Sequence, residues 1–160
     1  MPDKQLVLIK FVQRYSIKLH DFCAKSGHAP QILAFERLPG GWYGVAMEYI
    51  EFGIPITHSN LLPAHRGRWT EELQSLVCNF HLEGLVHGDL RAVNILCRED
   101  SVMVIDFDWG GEDGEVFYPT ANLNDELREG RLFNDLKITK EDDRRVLRNT
   151  LAKLQDIRVL

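Results

Sequence analysis

A chain of 160 residues with 44% hydrophobic and 27% charged residues is long enough to bury one core and falls in the ordinary range for a globular protein. Its formal net charge of −5 argues against a broad nucleic-acid surface, and the one basic cluster, Arg66 and Arg68 beside His65, is too small to overturn that. No segment approaches the roughly 18 apolar residues of a membrane span, so neither nucleic acid nor membrane is an expected partner.

In chain order, "MPDKQLVLIKFVQRY" carries a lysine within its apolar stretch and no small-residue cleavage site. It does not read as a signal peptide, and the expected compartment is intracellular and cytoplasmic. "QLVLIKFV" predicts a strand over residues 6–12, with Lys10 inside it. Residues 14–25, closing at Gly27 before Pro30, predict a helix. "QILAFERL" and "WYGVAMEYI" flank "PGG" and predict a hairpin. Residues 51–68 hold Gly53, Pro55, Pro63 and Gly67 and read as loop, the natural boundary between two lobes.

Trp69, Leu73, Leu76, Val77 and Phe80 fall at helical spacing, which predicts a helix over 69–83 ended by Gly84. Short strands are expected over 94–97 and 102–105. A last helix over 140–157 has Thr139 as N-cap and Val146, Leu147, Thr150, Leu151 and Leu154 on one face. Cys23, Cys78 and Cys97 lack CxxC spacing and read as buried thiols.

Two stretches carry chemistry. "LVHGDLRAVNIL" sets Asp89 and Asn94 between apolar runs, and "VIDFDWGG" follows with Asp106 at the end of a hydrophobic strand. A carboxylate, an amide and a second carboxylate are oxygen groups suited to a hard cation and to the phosphates it accompanies. Taken singly, each is also a common turn or cap residue; the joint spacing argues against that reading.

The combination resembles the protein-kinase-like superfamily: "HGDLRAVN" is similar to its catalytic loop, with Asp and Asn five apart, and "VIDFDWG" to its metal-binding segment. The "HGD" form and "DFD" also resemble the aminoglycoside and choline kinase branch. With "VLIKF", "HAPQIL", "ERLPGGWYGVAMEYI" and "FYPTANLN" the chain looks most like fungal-type kinase-like domains. The resemblance implies an α+β fold, with a reduced N-terminal lobe of three strands and one helix and a shortened, mainly helical C-terminal lobe. It implies one domain over 1–160, with 1–50 as partial N-lobe and hinge and 51–160 as partial C-lobe.

The activity so implied is magnesium-dependent transfer of the ATP γ-phosphate to a hydroxyl of a protein or a small molecule. Asp89 corresponds to the base and Arg91 to the cation at the transferred phosphate. Asn94 and Asp106 correspond to the magnesium ligands and Lys10 to the strand lysine on the nucleotide phosphates. Met47, Glu48 and Ile50 correspond to the back of the adenine pocket and the hinge. His87 reads as a support of the loop.

The chain departs from the pattern in several places. No glycine precedes Lys10, the helix after it holds Asp21 and no Glu, Gly88 stands where protein kinases have Arg, and no APE-like segment follows "DFDWGG". These departures favour two rivals: an N-terminally truncated gene fragment, or a pseudokinase that binds nucleotide without turnover. A third reading takes "DFD" as the DxD of aspartyl-phosphate phosphatases, but it leaves "HGDLRAVN" without a role.

Overall fold

β1 (Val7–Val12), β2 (Ile32–Arg37) and β3 (Tyr43–Glu48) form an antiparallel sheet in the order β1-β3-β2; the computed structural model describes residues 5–51 and 53–157. Strand periodicity decides what each face carries. Lys10 pairs with Val45, Leu8 with Met47 and Val12 with Tyr43, so these residues share the inner face, where Val12, Val45 and Met47 form a small core. Ile9 and Phe11 take the other face and are 61% and 63% exposed. The expected turn "PGG" closes the hairpin as a single 3-10 turn, Pro39–Gly41.

α1 (Ile17–Lys25) starts later than predicted, because the Ser16 side chain accepts the Leu19 N–H and caps it. The helix contributes Leu19, Cys23 and Ala24 to the main core, which lies beyond the sheet. β4 (Ile54–Pro55), β6 (Ile95–Arg98) and β7 (Ser101–Val104) make a second small sheet, while β5 (Leu85–Val86) pairs with β8 (Gly111–Glu112). α3 (Asp125–Arg128) is one turn. α4 (Lys140–Asp156) is capped by Thr139 in a capping box with Asp142 and buries the five expected residues, of which Thr150 donates its hydroxyl to the Leu90 carbonyl at 2.9 Å. No helix among the described residues is long and apolar enough to cross a membrane.

The largest departure from expectation is α2 (Leu62–Leu82), 21 residues long, which starts seven residues before the predicted Trp69. Pro63 and Gly67 had marked this stretch as loop. Proline in the first turn of a helix lacks only an N–H that would be unbonded anyway, and its fixed φ suits helix. Leu62 and Trp69 are both buried and anchor the extra turns, and the Trp69 Nε1–H donates to the Asp100 carbonyl at 2.9 Å. Gly67 is therefore a helix-interior glycine, and a Cβ built there meets nothing within 4 Å. Gly67→Ala is expected to raise stability by about 0.5–1 kcal/mol, checked by urea denaturation. The cysteine expectation also needs one correction: Cys23 and Cys97 are buried, but Cys78 is exposed, because it lies on the outer face of α2.

Candidate active site

The loop bearing Asp89 and Asn94 is locked from several directions. His87 is fully buried; its Nδ1 accepts the Asp89 N–H at 3.1 Å and its Nε2–H donates to the Ile105 carbonyl at 3.1 Å. One ring thereby ties the Asp89 loop to the strand end that carries Asp106, a supporting position like the one expected from sequence. Gly88 has φ +87°, and a Cβ there would approach Ile138 and Trp109 at 3.2 and 3.3 Å. An Arg at this position would be both strained and crowded, which gives the "HGD" form a local cause. The Tyr118 hydroxyl donates to the Gly88 carbonyl at 2.5 Å, and Trp109 packs edge-on to the Tyr118 ring.

A residue that sequence reasoning missed completes the lock. Asp143, in the first turn of α4, is 1% exposed and accepts the backbone N–H groups of His87 and Gly88, each at 2.8 Å, while contacting His81 Nε2 at 3.0 Å. Its carboxylate satisfies two buried donors at the turn that aims Asp89. The only sequence signal was the acidic run Glu141–Asp142–Asp143, which reads equally well as charge favouring a helix N-terminus.

Asp89 is 6% exposed and held by Arg91, whose Nε and Nη2 donate to its two carboxylate oxygens at 2.6 and 2.7 Å. That pairing is the chief influence holding the Arg91 guanidinium above its ordinary pKa. The Asn94 Nδ2–H donates to the Asp89 carbonyl at 3.0 Å, and its amide oxygen accepts no hydrogen bond among the described residues. The Ile105 N–H donates to the Asn94 carbonyl at 3.0 Å, so Asn94 and Asp106 lie on adjoining segments.

Lys10 reaches from the inner face of β1 to Asp106 at 2.9 Å and Asp108 at 2.6 Å. Burial alone would lower the Lys10 pKa, but the hydrogen bonds it donates to Asp108 and Asp106 outweigh it and hold the ammonium above its usual value. Burial pushes Asp106 upward, and Lys10 more than reverses that, leaving it below the carboxylate range. Asp108 stays above that range because burial and the neighbouring Asp106 charge outweigh Lys10. Asp106 adopts φ +65°, a conformation that non-glycine residues rarely hold outside constrained sites.

Asp21, the one carboxylate of the helix after Lys10, is engaged by Lys25 on its own helix at 2.5 Å, in keeping with the absence of the family's helix Glu. α1 instead fixes the Asp106 segment through an aromatic stack. His20 lies parallel to Phe107 with centroids 4.5 Å apart, and the Ser16 N–H donates to the Phe107 carbonyl at 2.9 Å. The His20 ring is itself held by the Tyr15 hydroxyl at 2.7 Å and the Pro30 carbonyl at 2.8 Å.

Beside Lys10 and Asp106 opens a cavity of about 340 Å³ whose wall is mainly apolar and includes Leu8, Met47, Ile50 and Leu96, with Glu48 at its edge. Lys10, Met47, Glu48, Ile50 and Asp106 thus line one cavity. Glu48 is also engaged by Arg98 at 3.0 Å. The oxygen set of Asp106, Asp108 and Asn94 suits magnesium, which takes one or two carboxylates and completes its shell with phosphate and water. An apolar slot with a cation and carboxylates at one end fits a nucleotide in the same way.

A small antiparallel sheet closing a cleft over a helical body, with these two loops at the cleft floor, is a protein-kinase-like fold. Among solved structures the chain matches the Cydia pomonella granulovirus kinase PK-1 with a TM-score of 0.72 at 14% identity, over 96% of this chain and 60% of that one. The chain therefore spans 60% of that kinase's length. The family model for the RIO domain, an atypical protein-kinase-like family, matches residues 40–109, from the β2–β3 turn through the Asp106 segment. No curated protein matches the chain.

Proposed function

We propose that the cleft binds a magnesium nucleotide and serves transfer of its γ-phosphate to a hydroxyl of a protein or small molecule. The observation that carries this is the Lys10–Asp106 pair in the wall of an apolar cavity lined by Met47 and Ile50, with Asp108 on the same ammonium. In this reading the residues up to Ile50 cover the nucleotide and form the hinge, and those from Glu51 onward carry the chemistry. Lys10 would move from the two carboxylates to the nucleotide phosphates, and Asp106 with Asn94 would hold the metal, which would supply positive charge to offset that of the phosphates. The acceptor oxygen attacks the γ-phosphorus as the bond to the ADP oxygen breaks, and the hydroxyl proton passes to Asp89. Arg91 leaves Asp89 to meet the transferred phosphate. The finer likeness to fungal-type kinase-like domains rests on the motifs quoted above.

One observation favours a second reading, a nucleotide-binding module without turnover: Arg91 occupies both oxygens of Asp89. Calorimetric titration with a non-hydrolysable ATP analogue, with and without magnesium, tests what the two readings share. Magnesium-dependent binding is expected, and Asp106→Asn should weaken it by about tenfold or more. Equal affinity with and without magnesium, unchanged in the variant, would remove Asp106 from the site. Turnover with protein, amino-alcohol and aminoglycoside acceptors then separates the first reading from the second.

A further inference from the structure

α2 and α4 pack side by side, and the seam between them opens into a groove of about 520 Å³ on the molecular surface. Its floor is formed by the outer edges of the core residues Val77 of α2 and Leu147 and Leu151 of α4, which are 3–7% exposed, and Leu82, 79% exposed, stands beside it with Thr70, Gln74 and Gln155 also in the lining. Along the α4 side run Lys140, Arg144 and Arg148. These lie four residues apart and so share one helix face, spanning about 12 Å. No carboxylate lines the groove, although the chain carries 24 acidic residues against 19 basic ones.

The cations are weakly engaged. Arg144 meets Glu141 at 3.6 Å with both side chains more than half exposed, and Lys140 meets Asp113 at 3.8 Å. The exposed Arg144–Glu141 pair contributes little and exchanges partners readily, and the Lys140–Asp113 contact is long for an ion pair. Arg148 has no ion pair among the described residues.

We infer that this groove docks an acidic amphipathic helical segment of a partner protein. An apolar floor between two helices accepts the ridge of a third helix at ordinary packing distance. The basic row beside the floor selects carboxylates on the flank of that helix and disfavours a basic one. A nucleic-acid backbone could pair with the basic row but would leave the apolar floor uncovered, and the concave seam does not present a flat apolar face to a membrane. The site lies on the outer side of α2 and α4 and does not require phosphoryl transfer.

Cys78 supplies the assay. It lines the groove and is exposed, whereas Cys23 and Cys97 are buried with their thiols pushed up to about 12, so alkylation at neutral pH reports Cys78. The probe is a synthetic helical peptide about four turns long, with leucines at i, i+3, i+4 and i+7 and glutamates on both flanks. The expected result is saturable binding that protects Cys78 from maleimide, weakens as salt rises, and drops about tenfold or more in the exposed double variant Arg144→Glu, Arg148→Glu. A peptide with glutamines in place of the glutamates should bind at least about tenfold more weakly to the unaltered protein. Equal protection by the two peptides overturns the inference. So does protection by a DNA duplex or by phosphatidylserine vesicles when the acidic peptide gives none.

Discussion

Asp143→Ala is expected to lower the unfolding free energy by about 2–6 kcal/mol, the cost of leaving two buried donors without an acceptor. Two buried backbone donors, from His87 and Gly88, would lose their acceptor, at about 1–3 kcal/mol each, and His81 would lose its neighbour. No water can replace the carboxylate without entering a site that is 1% exposed. Against a total stability of about 5–15 kcal/mol for a protein of ordinary stability, this is among the most damaging single changes the structure offers. Asp143→Asn keeps one acceptor oxygen and the shape, so it should cost less. Urea denaturation of the three proteins checks the order, and a loss below about 1 kcal/mol in the alanine variant would show that the contacts are not holding the loop.

Such a residue illustrates what a sequence discloses and what it withholds. That Asp89 and Asn94 share one turn is legible in the sequence because the constraint is local, a side-chain-to-backbone bond only five residues long. The three strands and α4 were legible for the same kind of reason, since period-two and period-3.6 patterns follow from the element itself. Asp143 lies 56 residues from His87, and nothing in the spacing of either segment points to the other.

The lysine partner was missed differently. The resemblance directed attention to α1, where Asp21 is taken by Lys25, while the second carboxylate came from the Asp106 segment itself as Asp108. The start of α2 is not legible locally, because Pro63 and Gly67 read as breakers. Burial of Leu62 and Trp69, a tertiary gain, overrides a local cost of about 1 kcal/mol for the glycine.

Asp89→Asn is expected to reduce any phosphoryl transfer by about 10²–10⁴, the usual contribution of a positioned general base, while the affinity for a magnesium nucleotide stays within about twofold. The amide keeps the volume and the backbone contact to Asn94 but cannot take the acceptor proton, and it can no longer receive both donors of Arg91. Arg91 therefore loses half of its fork, so the result must be set beside Arg91→Ala, which breaks the same pair from the other side. If Arg91 serves the transferred phosphate, Arg91→Ala also loses turnover, with nucleotide affinity little changed. If the guanidinium instead blocks Asp89, removing it restores or raises turnover, and the bidentate pair is a restraint on the base. Single-turnover kinetics on both variants, with melting curves to exclude unfolding, separates the two roles. Equal rates in all three proteins would take both Asp89 and Arg91 out of the chemistry.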